Sequence, residues 1–231
     1  MESQKATNPA AAKPRWYDDA CGAAHGLELL GERWALLILR ELMFGPRRFG
    51  AIRGGLPGIS AKVLTERLDG LQQAGIVRQH TLPPPASTPV YELTPWGYEA
   101  EPIFVTLGRW AARSPTHDPS LPLSASSLML SFRTMFDLRR ANGLKATVGF
   151  RFEADGFRVT VDAHGLRAVR GDPMDADAVI AATPPTVAAV VYGALPLKQA
   201  QASGALTLEG DRALIKRFVG LFPLPRKAPT P

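Results

Sequence analysis

Two prolines and four serines within residues His117–Ser127 make this segment unsuitable as the interior of a helix or as a central strand. The residues before it have mainly helical apolar spacing, whereas those after it contain alternating, strand-like segments. Each side has enough chain for a modest domain of ~100 to 120 residues. We therefore predict two domains joined by a linker. The predicted divisions are a disordered arm at 1–15, a first domain at 16–115, a linker at 116–127, a second domain at 128–222 and a tail at 223–231.

Composition excludes several classes of protein. Hydrophobic residues make up 45% of the chain and charged residues 21%, which is typical of a folded domain in water. Cys21 is the single cysteine, so a disulfide framework and a thiolate zinc cluster are both excluded. The sequence has no apolar run of the ~18 to 20 residues that cross a bilayer and no hydrophobic leader at its start. We expect a cytoplasmic protein without membrane insertion.

The first domain shows a definite order of elements. Apolar residues spaced by three and four predict one helix over Cys21–Leu42. Ser60 is a suitable N-cap for a helix that continues to Ala74. The remaining predicted elements are a short helix at Phe49–Gly54, a turn at Leu56–Gly58, strands at Ile76–Gln79 and Pro89–Leu93 around a proline-rich loop, and a long helix from Thr94 to Arg113.

This order is typical of a winged helix-turn-helix, in which the second helix enters the major groove of DNA. Residues Arg47–Arg78 include six basic and two acidic side chains, a charge excess that suits a polyanion. The first turns of the Ser60 helix would reach base edges, while nearby arginines and the wing would contact the DNA backbone. The predicted DNA-binding residues are Arg47, Arg48, Arg53, Ser60, Ala61, Lys62, Thr65, Arg67, Arg78, His80 and Ser87.

The segments GERWALLILREL, RRFGAI, GISAKVLTERL and YELTPWG give residues 16–113 a specific resemblance to the HxlR family of winged-helix transcriptional regulators. The resemblance implies a homodimer on a near-palindromic operator in double-stranded DNA, with the first and last helices of the domain at the dimer interface. It also implies a bacterial origin. Some members of the family use a cysteine near this position to sense oxidants or electrophiles. For Cys21 we favour a small buried hydrophobe, because Asp18 and Asp19 would raise the pKa of the thiol.

After the linker, an amphipathic helix, three alternating strands, a fourth strand and further helices predict an α+β domain with a mostly antiparallel sheet covered by helices. Residues 128–222, including the segment GALTLEGD, resemble the sterol carrier protein type 2 (SCP2-like) domain. This resemblance implies an apolar tunnel for a hydrophobic small molecule, although the same side chains suit a packed core. The predicted ligand-binding residues are Phe132, Met135, Phe136, Phe150, Phe152, Val187, Val191, Tyr192, Leu195 and Phe218, with Arg133 and Arg151 as further polar candidates.

The four histidines are scattered, and no metal-ligand spacing, phosphate loop or nucleophile motif is present. We therefore expect no enzyme activity, metal or cofactor. The sequence predicts a dimeric repressor that a hydrophobic effector bound in the second domain releases from DNA. One alternative is a regulator that senses oxidants through Cys21, with an architectural second domain. Another is a lipid carrier whose winged helix does not bind DNA.

Overall fold

The computed structural model describes residues 17–229. The predicted arm at 1–15 lies outside these residues. An N-terminal unit, α1 to α6, precedes a C-terminal unit, α7 to α11. The helices of the N-terminal unit are α1 (Gly22–Leu30), α2 (Ala35–Leu42), α3 (Phe49–Gly54), α4 (Ala61–Gln73), α5 (Pro95–Tyr98) and α6 (Glu101–Ala111), and its wing is the antiparallel pair β1 (Val77–Thr81) and β2 (Pro89–Leu93).

The C-terminal unit covers a five-stranded sheet with helices. Its helices are α7 (Ala125–Met135), α8 (Leu138–Ala141), α9 (Pro184–Val191), α10 (Leu197–Ala202) and α11 (Arg212–Val219), and its strands are β3 (Ala146–Arg151), β4 (Gly156–Asp162), β5 (Gly165–Arg170), β6 (Ala178–Ala182) and β7 (Leu206–Gly210). The strand order is β5-β4-β3-β6-β7, and only the β3/β6 pair is parallel. The prediction of an α+β domain with a mostly antiparallel sheet is confirmed.

The prediction of two long helices in the N-terminal unit, Cys21–Leu42 and Thr94–Arg113, is wrong, because each range contains two shorter helices. Gly31 ends α1, and Trp34 then adopts a left-handed backbone with φ of 82° before α2 begins. The second division falls between α5 and α6, where Pro102 occupies the first turn of α6. A proline has no amide hydrogen to bond to the preceding turn, so a helix that reaches it from Thr94 is interrupted.

The two units share a core. A contiguous cluster of buried side chains runs from α2 through α6 and α7 into the sheet, and it includes Leu42, Phe104, Phe132 and Phe157. Phe44 packs edge-on against Phe157 with ring centroids 5.5 Å apart. The helix α7 begins inside the predicted linker, and its Ser126 is fully buried. The linker therefore joins two units that are packed together.

The segment after α11 returns to the N-terminal unit. The ammonium of Lys227 donates to the carbonyls of Ala112 (3.2 Å) and Ser114 (2.9 Å), and the amide of Ala228 donates to the carbonyl of Arg113 (2.7 Å). These carbonyls follow the last turn of α6, where a positive charge is favourable. The described part of the predicted tail thus caps the final helix of the other unit.

Candidate functional site

The helix α4 presents a polar face next to its first turn. The hydroxyl of Ser60 accepts a hydrogen bond from the amide of Val63 at 3.2 Å, which confirms the predicted N-cap. Leu64, Leu68 and Leu71 are buried and hold the opposite face against the core. The side chains predicted to reach DNA bases, Ser60, Ala61, Lys62 and Thr65, are all exposed. The helix therefore has a fixed position and a free surface at its N-terminal end.

The arginines predicted to contact DNA fall into two groups. Arg48 and Arg53 are exposed and form no ion pair with any residue among 17–229. Arg67 forms an ion pair with Glu32 and donates to the carbonyl of Arg33, so it braces α4 against the loop before α2. Arg47 is buried among carboxylates. Free positive charge beside α4 therefore comes from Arg48 and Arg53, and Lys62 adds an exposed ammonium that lies 4.0 Å from the carboxylate of Glu66.

The wing carries less free charge than its sequence indicates. Arg78 donates to Glu92 at 2.6 Å, and Nε2 of His80 lies 3.2 Å from the same carboxylate. Both residues are on β1 and face their partner strand β2. Ser87, at the exposed tip of the loop, has a positive φ of 37°. The carboxylate of Glu92 thus lies beside both Arg78 and His80 and compensates much of the positive charge predicted for the wing.

Arg47 belongs to a largely buried chain of charges that joins the two units. Its Nη1 donates to Glu41 at 3.0 Å, and its Nη2 donates to Asp155, in the β3–β4 turn, at 2.8 Å. Asp155 also accepts from Arg170 of β5 at 2.7 Å. The backbone of Arg47 pairs in both directions with Tyr91 of β2, at 2.8 and 2.9 Å. A single residue therefore connects α2, the wing and the C-terminal unit.

Neighbouring side chains donate or accept further hydrogen bonds with the charged groups of this chain of charges. Glu41 is fully buried and accepts further hydrogen bonds from Arg40 (3.0 Å) and from the hydroxyl of Ser124 (2.6 Å). Arg170 donates to Ser126 and lies 4.9 Å from the ring centroid of Phe157. Burial, together with the nearby charge of Arg47, lowers the pKa of Arg170. The sequence carries no signal for this arrangement, because Arg47 and Asp155 are 108 residues apart.

The predicted ligand residues of the C-terminal unit lie mostly in its core. Phe132, Phe150 and Phe218 are fully buried, and their ring centroids are 5.5 to 5.8 Å apart. Phe222 stacks on Phe132 at 4.6 Å. Met135, Phe152, Val187 and Val191 are also buried, whereas Phe136, Tyr192 and Leu195 are partly exposed. These aromatic rings occupy the space between α7 and the sheet.

Tyr192 and Arg151 occupy different settings. The hydroxyl of Tyr192 lies 2.7 Å from that of Ser131, and burial raises the pKa of Tyr192 to about 12. The tyrosine therefore stays neutral and ties α9 to α7. Arg151 pairs with Glu209 at 2.8 Å on the exposed side of the sheet. The structure does not bring these two polar candidates together.

An open cleft of about 390 Å³ lies where the two units meet. Its lining residues are Glu101 and Val105 of α6, Arg133 of α7, Phe136 at the end of α7, and Leu166 and Arg167 of β5. Phe136 and Arg133 are the two sequence-predicted candidates that reach it. The other four lining residues were missed, because they come from both units and only the packing of α6 against α7 and β5 assembles them.

Cys21 is exposed at the start of α1, so the prediction that it is a small buried hydrophobe is wrong. The backbone amides of Ala24 and Ala23 lower the pKa of its thiol. Asp18 and Asp19 were expected to raise this pKa. The amides at the N-terminal end of a helix favour the thiolate, and the sequence interpretation omitted that effect.

Within residues 17–229, no helix is long and apolar enough to cross a membrane. The same residues contain no group of three or more His, Cys, Asp or Glu side chains placed to hold a metal ion.

Two family models match the chain, one for each unit. The HxlR-like helix-turn-helix model matches residues 29–118, and the SCP-2 sterol transfer family model matches residues 133–223. The matched ranges agree with the two sequence resemblances. The break between them falls at residues 119–132, which include most of the predicted linker and most of α7.

Relatives are similar to part of the chain. The uncharacterized HTH-type transcriptional regulator sll1512 of Synechocystis is 38% identical over 38% of this chain and 64% of its own length. The HTH-type transcriptional regulator YodB of Bacillus subtilis is 42% identical over 36% of this chain and 74% of its own length. The chain thus spans less than two thirds of the first of these relatives. The solved reduced form of YodB is 37% identical over 42% of this chain and 98% of that chain, with a TM-score of 0.38.

Proposed function

Because the chain belongs to the HxlR family of helix-turn-helix transcriptional regulators, with an SCP-2 domain after the helix-turn-helix, we propose that it is a dimeric repressor released by a hydrophobic small molecule. The observation that carries the DNA-binding part is the exposed polar face at the start of α4, flanked by the free cations of Arg48 and Arg53. Lys62 and Thr65 would face base edges in the major groove, while the two arginines would contact phosphates.

Dimerisation would use the exposed side of α6. Ile103, Leu107 and Trp110 recur at helical spacing on one face and are 46%, 44% and 71% exposed. Leu27 of α1 is also exposed, at 52%. Large apolar side chains grouped on a surface indicate an interaction site. A second copy of the chain would cover this face and present the two α4 helices to successive major grooves, about 34 Å apart.

Regulation would pass through Arg47. Its guanidinium holds Asp155 of the C-terminal unit, and its backbone holds the wing strand β2. An effector changes operator affinity only if it favours one arrangement of the units over another. A second route would pass through the Thr94–Arg113 segment, because α6 packs against α7, for example through the bond from Arg109 to the carbonyl of Thr134.

The DNA-binding proposal predicts a specific loss for Lys62→Ala. We expect operator binding to weaken by about 5- to 150-fold, because a base contact contributes about 1 to 3 kcal/mol. Fluorescence anisotropy on duplex from the upstream region of its own gene, against a scrambled duplex, measures this loss. Lys198→Ala removes an equal charge from exposed α10 and should leave the affinity unchanged. Weak, equal and steeply salt-dependent binding to both duplexes would instead favour the lipid-carrier function.

A second candidate function rests on the exposed position of Cys21. In this alternative, oxidation or alkylation of the thiol releases the repressor from DNA, and the C-terminal unit is architectural.

The lowered pKa of Cys21 predicts a reactive thiol. A thiol with a lowered pKa retains its thiolate to lower pH, so alkylation by monobromobimane should remain fast at pH values where a free cysteine peptide slows. Stopped-flow fluorescence across pH measures this difference. A reaction midpoint at or above that of the peptide would contradict the prediction. Cys21→Ser should abolish any oxidant effect on DNA binding if this second function holds, and should leave the response to the hydrophobic effector unchanged if the effector function holds.

A further inference from the structure

We propose that the cleft between the two units is the effector site, and that its ligand is an organic anion with an apolar body, such as a medium-chain carboxylate. The inference rests on the proposed function, because it assigns a site and a ligand class to the effector. The cleft measures about 390 Å³, within the usual range of small-molecule sites. Its residues come from both units, so a ligand there contacts both.

The interior of the C-terminal unit offers little room for such a ligand. Phe132, Phe150, Phe157 and Phe218 are all fully buried, and each has another aromatic ring with its centroid within 6.2 Å. Opening a space there would separate rings that are in contact, and the lost packing would oppose binding. The inter-unit cleft is already open and requires no such separation.

The lining has a cationic part and an apolar part. Val105, Phe136 and Leu166 are half-buried and supply apolar surface. Arg133 and Arg167 supply two positive charges against the single carboxylate of Glu101, so the cleft has an excess of one positive charge. Arg167 is exposed and forms no ion pair within residues 17–229. An anionic head group on an apolar body matches this division.

Arg133 would couple ligand binding to the contact between the two units, because its side chain bonds to residues of both. Its Nη1 donates to Glu101 at 2.8 Å, its Nη2 donates to the carbonyl of Ala168 at 2.8 Å, and its guanidinium lies 4.5 Å from the ring centroid of Phe44. A ligand carboxylate would compete with Glu101 for this guanidinium. Binding would then replace a contact between α6 and α7 with a contact between α7 and the ligand.

The test uses the full chain and the fluorescent fatty acid 11-(dansylamino)undecanoic acid. We expect its emission to rise on binding, and we expect decanoate, but not 1-decanol at equal concentration, to displace it. Arg167→Gln should weaken binding about tenfold, because it removes the unpaired charge. Val105→Trp should abolish binding by filling the cleft. Arg158→Gln, on the exposed side of β4, is the matched control and should bind the probe as the unaltered protein does.

Several outcomes would overturn the proposal. They are no probe binding by the unaltered chain, unchanged binding by Arg167→Gln, and equal displacement by 1-decanol. Since Val105→Trp disturbs packing, its thermal midpoint is measured alongside, and the exposed Arg167→Gln variant decides the test if the tryptophan variant unfolds. Fluorescence anisotropy with operator DNA on the same preparations distinguishes failure of the cleft proposal from failure of the proposed function. If the unaltered protein binds DNA specifically but fails the probe test, only the assignment of the effector site to the cleft is overturned. If the unaltered protein shows no specific DNA binding, the proposed function is overturned.

Discussion

Replacing Glu41 with leucine should lower the free energy of unfolding by about 3 to 5 kcal/mol, the range measured when one partner of a buried ion pair is removed. Glu41 is fully buried and accepts hydrogen bonds from Arg40, Arg47 and Ser124. The leucine side chain accepts none of them. Arg47, with a side chain only 9% exposed, would keep one carboxylate partner where it now has two.

The balance of charges explains why the loss should be this large. Glu41, Arg47, Asp155 and Arg170 alternate in sign along the chain of contacts, and Arg40, with a side chain 20% exposed, also pairs with Glu41, so the five side chains carry a net charge of +1. Removing Glu41 raises this net charge to +2 in surroundings that are mostly closed to water, where an unbalanced charge is costly. Removing Arg47 as well returns the net charge to +1, because Asp155 then pairs with Arg170 and only the partly exposed Arg40 has lost its carboxylate.

Urea denaturation followed by tryptophan fluorescence measures the effect. The double variant Glu41→Leu/Arg47→Leu should recover part of the loss, because neutral residues replace an oppositely charged pair. Glu209→Leu, which breaks the exposed pair with Arg151, is the control and should leave the midpoint close to that of the unaltered protein. If Glu41→Leu is no more destabilising than Glu209→Leu, the buried chain contributes little to stability.

Local patterns were sufficient to predict most of the secondary structure. The cap at Ser60, the strands on either side of the proline-rich loop, and the strands β3 to β5 each depend on neighbouring residues, and all are present. The predicted alternation of buried residues is complete in β4, whereas three consecutive residues of β3 are buried. The two divided helices show the limit of apolar spacing as a guide. The spacing continues across Gly31 and across Pro102, but α1 ends at Gly31, and Pro102 lies in the first turn of a new helix, α6.

The predicted sites depended on contacts that sequence spacing does not reveal. Arg47 and Arg48 are adjacent and chemically identical, yet one is buried between carboxylates and the other is exposed. Likewise, an alternating strand gives Phe150 an inward direction without indicating whether it meets a ligand or another ring. Here it meets Phe132 and Phe218. In both cases the deciding partner comes from a distant part of the chain.

The second large effect is expected from Trp110→Asp, which should convert the proposed dimer into monomers. Trp110 is 71% exposed in the single chain and lies beside Leu107 and Ile103 on α6. Large aromatic residues at the centre of an interface commonly contribute about 2 kcal/mol or more. An aspartate at this position would also place a carboxylate from each copy in the apolar contact, where charge is unfavourable.

DNA binding should fall with the loss of the dimer. A monomer holds one half-site and loses the gain in affinity that comes from linking two binding modules, which is about 100-fold or more. Sedimentation velocity measures the oligomeric state, and anisotropy on full-site and half-site duplexes measures the affinity. Leu138→Asp, at a 48% exposed position on α8 of the C-terminal unit, is the matched control and should remain dimeric with unchanged affinity.

A dimeric Trp110→Asp protein would show that the exposed face of α6 is not the interface. Half-site affinity that survives in a monomer would show that α4 remains folded and competent for DNA, so the loss on the full site would belong to the interface alone.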